Sequence, residues 1–209
     1  YKRQLLYEYG KSEFNLNRFK SSVIYLEKIK NKDDEINFLL GVGEFNNKNF
    51  EKSKLFLEQV SSYIYEDKKN LFLGIISYQA EEFDLALNYF DNISDKDLEK
   101  QYLQYIISIN YLREDYEATV KLSDRINNNR TLVDNIDYCF FFIGKAFFIL
   151  EDFNNSIITL NQIKNSIDRE DEISFLIAYS NYILKKYDES KPIFKSLSVA
   201  TSPVSGSIS

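Results

Sequence analysis

The chain of 209 residues contains no histidine, methionine or tryptophan, a single cysteine and only two prolines. The lack of histidine removes the commonest metal ligand and the usual general base near neutral pH. Cys139 alone can form neither an internal disulfide nor a zinc-binding cysteine cluster. Six glycines compose no dinucleotide fingerprint, phosphate loop, nucleophile elbow or EF-hand spacing. Gly41-Val42-Gly43 has no following glycine and falls inside a helical pattern. No apolar run reaches the roughly 18 residues of a membrane span. The greasiest stretch, Cys139 to Leu150, is interrupted by Gly144 and Lys145. With 26 Lys+Arg against 32 Asp+Glu the formal charge is −6. Those charges alternate, without a basic patch, which disfavours nucleic acid or an anionic membrane as partner.

What is abundant is periodic. Phe14, Phe45, Tyr78, Tyr111, Phe148 and Tyr182 are each followed five residues later by a second aromatic: Phe19, Phe50, Phe83, Tyr116, Phe153 and Tyr187. Three residues further come Ser22, Ser53, Ala86, Thr119, Ser156 and Ser190, and seven beyond those an aliphatic, Ile29, Val60, Ile93, Ile126, Ile163 or Leu197. Gly10, Gly41, Gly74 and Gly144 share one place in their copies, which Ile107 and Ala178 fill in the fourth and sixth. Successive steps are 31, 33, 33, 37 and 34 residues. Such a period denotes stacked helical hairpins, none of which buries its apolar face alone.

In the third copy the pattern predicts a first helix over about Lys69–Ala80, a turn at Glu81-Glu82 and a second helix over about Phe83–Ile93. The longest step follows Ile126, where Asn127-Asn128-Asn129 reads as a helix terminator and Thr131 with Asp134 as a capping box. Ser94 with Asp97 offers the same start signal in the fourth copy. Pro192 leaves two readings, a helix restarted at Ser190 or a kinked terminal cap. Residues 198–209, uncharged and serine-rich, read as a linker or expression remnant, or as a peptide lying along a neighbouring surface. A first residue other than Met suggests an excised or processed domain. The sequons at Asn92, Asn129 and Asn154 match chance in an Asn-rich chain, and the Asn, Lys, Ile, Phe and Tyr bias is that of an AT-rich, bacterial genome.

Chemistry is sparse. The acidic pairs Glu81-Glu82, Glu114-Asp115 and Glu151-Asp152 have the composition of a two-carboxylate site. Each, however, sits at the turn of its own copy, where a carboxylate favours the N-terminus of the next helix. Cys139, among Tyr138, Phe140, Phe141 and Phe142, reads as a small buried hydrophobe.

These repeated residues resemble the tetratricopeptide repeat (TPR) family over about residues 2–197, without that family's early tryptophan or closing proline. The resemblance implies an all-α solenoid, a right-handed superhelix of about six repeats over 1–32, 33–65, 66–98, 99–130, 131–168 and 169–197. It also implies a concave groove lined by the first helices. In this chain the groove positions are Tyr7, Lys11, Phe38, Val42, Leu71, Ile75, Gln104, Ser108, Phe141, Lys145, Phe175 and Tyr179. Only Lys11 among the matching places would serve the carboxylate clamp of chaperone-binding relatives, and the lining is mostly apolar. The expected function is therefore a non-catalytic scaffold, without cofactor or metal, that binds an amphipathic helix or apolar peptide or co-assembles with partner subunits. Bacterial proteins of this resemblance work in the cell envelope, in outer-membrane assembly or a periplasmic flagellar-motor collar. A cytoplasmic regulator, or the accessory domain of an enzyme, is the alternative.

Overall fold

A computed structural model describes residues 1–128, 135–165 and 167–200, and among these there is no strand. The protein is all-α, built of helical hairpins. It divides into two compact units, Tyr1–Tyr102 and Leu103–Ser209. The first holds α1 (Lys2–Asn15), α2 (Phe19–Glu27), α3 (Asp34–Asn46), α4 (Phe50–Leu57), α5 (Glu66–Gln79), α6 (Phe83–Asp91) and the start of α7 (Glu99–Leu112). The second holds the rest of α7, α8 (Tyr116–Lys121), α9 (Ser123–Asn128), α10 (Ile136–Ile149), α11 (Phe153–Leu160), α12 (Glu170–Ile183) and α13 (Tyr187–Ala200).

Among the described residues, six hairpin turns are made the same way. Asn17, Lys48, Glu81, Glu114, Glu151 and Lys185 take the left-handed conformation, φ 57° to 66°. At each, that residue's N–H donates three residues back and the next N–H donates five back, as in Glu81 N to Tyr78 O and Glu82 N to Ser77 O. This satisfies the carbonyls that a helix end leaves free. None of the six is glycine, so each carries roughly 1–2 kcal/mol of steric strain. The paired aromatics brace the turn. Phe14–Phe19, Phe45–Phe50, Tyr111–Tyr116, Phe148–Phe153 and Tyr182–Tyr187 all lie with ring centroids 5.4–5.7 Å apart, and Tyr78–Phe83 at 6.1 Å.

The repeated glycine is explained by its neighbour across the hairpin. A Cβ on Gly10, Gly41 or Gly144 would lie 2.6 Å from Leu26, Leu57 or Leu160, and on Gly74 2.5 Å from Phe90. Each of those large residues is sixteen positions on and buried. In the fourth copy the sizes are exchanged: Ile107 fills the glycine place and Ser123 stands sixteen later. Above this contact Ser53 and Ser156 donate to the carbonyls of Gly41 and Gly144 at 2.7 and 2.9 Å.

Hairpins stack by burying aliphatics between one second helix and the next first helix. In the first unit Val23, Leu26 and Ile29 pack with Ile36, Leu39 and Leu40. In the second, Phe141, Leu160, Ile167 and Leu176 form the corresponding cluster. Each such side chain contributes about 1.5–3 kcal/mol. The linkers between copies are clipped by carboxylates. Asp67 accepts from Ser94 N and Asp95 N at 3.0 and 2.9 Å, and Asp137 accepts from Lys164 N and Asn165 N at 3.0 and 3.2 Å. Asp34, in the same register, accepts from Ser61 Oγ at 3.1 Å.

Three local expectations change. The fourth copy starts at Asp95, whose side chain caps Asp97 N, because Ser94 N is held by Asp67. The turn acids divide their work. Asp115 and Asp152 cap α8 and α11, whereas Glu82 makes no cap bond and Glu81, Glu114 and Glu151 are the left-handed residues. Pro192 lies inside an unbroken α13, where Ser190 Oγ bonds back to Tyr187 O, so no helix restarts at Ser190. The capping box at Thr131 and Asp134, Asn129, and the tail from residue 201 lie outside the described residues.

Candidate functional site

The twelve groove positions separate into buried, half-buried and exposed sets. Phe38, Val42, Leu71, Ile75, Ser108 and Phe141 are buried between helices. Tyr7, Lys11, Gln104 and Lys145 are half-buried, and Phe175 and Tyr179 are exposed. At these positions of the middle copies, stacking against neighbouring helices takes up the apolar side chains.

Polar chemistry gathers at two places in one register. In the first unit Lys11 Nζ donates to Glu35 Oε1 at 2.7 Å and Tyr7 Oη at 2.8 Å, with the Tyr7 ring centroid 5.2 Å away. Arg3 bonds Asp33 at 2.9 Å alongside, and Phe38 stacks on Tyr65 with centroids 4.6 Å apart. The bond from Lys11 holds the Glu35 carboxyl below its ordinary value, and the Glu35 bond holds Lys11 above its own. Burial raises the Tyr7 hydroxyl, partly offset by Lys11.

In the second unit Lys145 Nζ donates to Glu172 Oε1 at 2.5 Å and lies 5.2 and 5.5 Å from the ring centroids of Phe141 and Tyr111. Arg169 reaches the other oxygen of Glu172 at 3.3 Å and stands 5.9 Å from the Phe141 ring. Burial opposes the charge of Lys145, but its bonds to Glu172 and Tyr111 prevail and hold it above the usual value. Burial likewise opposes the charge of Glu172, and Lys145 with Arg169 keeps it below the usual carboxylate value. Both lysines directly follow the repeated glycine, and both acids lie six residues before that place in the next copy. The middle copies put Lys68, Gln101 and Tyr138 at the acid's place.

The third feature is apolar and sits on the sixth copy. Phe175, Tyr179 and Tyr182 are 47%, 38% and 52% exposed, and Tyr187 and Ile183 are exposed beside them. Phe175–Tyr179, Tyr179–Tyr182 and Tyr182–Tyr187 are 5.9, 6.5 and 5.7 Å apart, so the rings form a ladder across α12 and onto α13. Their counterparts are covered by the following copy: Phe45 meets Phe72 at 5.0 Å, Tyr111 meets Phe142 at 5.1 Å and Phe148 meets Tyr179 at 5.7 Å.

The Cys139 thiol is buried and pushed up to about 12 by that burial, so it stays protonated as the small hydrophobe expected of it. Among the described residues no cluster of three His, Cys, Asp or Glu could hold a metal ion. Among them, too, no helix is long and apolar enough to cross a membrane. Reading the sequence missed Glu35 and Glu172 as lysine partners, the clips Asp34, Asp67 and Asp137, and the ladder residues Tyr182 and Tyr187. The clips did carry a repeating signal, an aspartate seven places before Gly41, Gly74 and Gly144, whereas Glu35 and Glu172 share their place only with each other.

The arrangement defines a helical-hairpin repeat protein with polar bridges and, among the described residues, an open aromatic face. No known family's sequence model matches the chain, and no curated protein matches it. Among solved structures, MamA AMB-1 is 18% identical, covers 94% of this chain and 97% of its own, and superposes with a TM-score of 0.39. MamA MSR-1 is 17% identical, covers 96% and 98%, and gives 0.38. Likenesses this slight bear on neither partner nor compartment.

Proposed function

We propose that the protein is a non-catalytic scaffold of the tetratricopeptide kind, which holds an amphipathic helix or apolar peptide, or a partner subunit, against its helical hairpins. The observation that carries this is the uncovered ladder Phe175–Tyr179–Tyr182, since contiguous exposed aromatics of this kind mark interaction sites. Lys11 and Lys145, half-buried over aromatic rings, add oriented charge at the edge of the same first-helix face in their own copies. Assembly within a bacterial envelope complex, such as a periplasmic motor collar or outer-membrane machinery, is the setting that the family resemblance favours.

Substitution at Phe38 or Leu71 would disrupt stacking, because both are buried, so the test belongs on the ladder. Phe175→Asp with Tyr179→Asp should remove a specific protein from a native pulldown while the helical circular dichroism is kept. An unchanged set of captured proteins would overturn the reading.

A further inference from the structure

Within each unit, a junction of the stack has a leading face, presented by a first helix, and a trailing face, presented by the copy before it. The leading face repeats in register. Ile36, Leu39 and Leu40 supply it on α3, Cys139, Phe142 and Ile143 on α10, and Ile173, Leu176 and Ile177 on α12. Most of these are buried where they meet the preceding copy. Among the described residues, two faces of the same types remain uncovered. The α1 counterparts are Leu5, Glu8 and Tyr9, of which Leu5 and Tyr9 are 67% and 53% exposed. The trailing face is the aromatic ladder of the sixth copy.

Charge distinguishes the two. α3, α5, α7, α10 and α12 all begin with acid in the first turn, and α12 carries Glu170, Asp171 and Glu172. α1 has none and begins Lys2-Arg3. At the first junction the layer of side chains at this level pairs Arg3 of one copy with Asp33 of the next. Carried to the uncovered faces, the same register sets Asp171 opposite Lys2 and Tyr179 opposite Gln4, with Leu5 and Tyr9 toward the ladder.

We propose that the trailing face of the sixth copy takes α1 of a second molecule of this chain, head to tail, as the register of an internal junction continued between molecules. The inference rests on the ladder being a docking surface and adds its occupant. Opposite charge at the rim orients the approach, and the aromatic area supplies adhesion. A head-to-tail contact is heterologous, so association grows with concentration rather than stopping at a symmetric pair, unless the chain closes a ring.

Sedimentation velocity on the purified 209-residue chain tests this without any other protein present, so its failure leaves the scaffold reading intact. The wild type should show a mass that rises above 24.7 kDa with concentration. Tyr179→Asp with Tyr182→Asp, and separately Leu5→Asp with Tyr9→Asp, should each remain monomeric with unchanged circular dichroism. Mixed together, the two variants should form a heterodimer and nothing larger, since each retains one intact face. Lys2→Glu should weaken association at low salt, and Asp171→Lys in the same chain should restore it. A wild type that is monomeric throughout overturns the proposal. So does a Leu5/Tyr9 variant that still associates, which would mean two trailing faces meet, or a mixture that stays monomeric.

Discussion

Lys11–Glu35 in the first unit and Lys145–Glu172 in the second occupy one register, yet they are different environments. Lys11 and Glu35 keep much of their surface in water and share a single tyrosine hydroxyl. Lys145 is enclosed by two aromatic rings, and its carboxylate is shared with Arg169. The hairpin scaffold is identical in kind, so the difference comes from side chains beside it: Phe141 and Tyr111 in place of Tyr7 alone. A repeat dictates where a residue stands, and its neighbours decide how strongly the residue is held there.

The sharpest way to break the equivalence of copies is at the glycine place. Gly144→Val should lose about 3 kcal/mol or more, since its Cβ already meets Leu160 at 2.6 Å. Ile107→Gly, in the copy with exchanged sizes, should lose about 4 kcal/mol through the void it opens. Adding Ser123→Leu should recover part of that, read as the denaturant midpoint. No recovery would mean that Ile107 and Ser123 do not compensate each other.

A middling effect belongs to the turns. Glu81→Gly and Glu114→Gly, one in each unit, should each stabilise by about 1 kcal/mol, because glycine takes the left-handed conformation without the Cβ clash. Equal gains in thermal unfolding would support a common turn, and a loss at either site would separate the two units.

The smallest effect tests the bridges themselves. Lys11→Met should change stability by less than about 1 kcal/mol, as exposed ion pairs do. Lys145→Met should do more, because Lys145 is less exposed than Lys11 and lies over two aromatic rings, although Glu172 would keep Arg169. A carboxyl held low adds stability above its ordinary value and loses it as pH falls through the lowered one. An ammonium held high adds stability below its ordinary value and loses it as pH rises through the raised one. The gap between wild type and either variant should therefore be widest between about pH 5 and 10 and close on both sides. A gap that persists at pH 3 would assign the effect to packing of the lysine stem.

Much of the scaffold was legible beforehand because it depends on spacing alone. Aromatic pairs five apart across a turn can only meet if the turn reverses the helix, and all six do. The lining was less legible. Phe38, Leu71 and Phe141 occupy first-helix positions that the family resemblance assigns to a groove, but whether a neighbouring copy covers them depends on stacking distance and side-chain volume. Glu35 and Glu172 were hidden for a related reason: each keeps its place relative to the repeated position of its own copy, but its separation from the lysine of the preceding copy changes with a period that varies from 31 to 37 residues. Nor does composition alone reveal that Glu114 bends the chain while Asp115 caps the helix.

The aspartate clips have a mechanical consequence. Asp67 grips the backbone 27 and 28 residues later, and Asp137 does the same, so each carboxylate fastens a hairpin into a loop closed upon itself. Tension along the chain would meet these latches before it reached the apolar contacts inside a hairpin. The molecule should yield in instalments, one latched parcel after another.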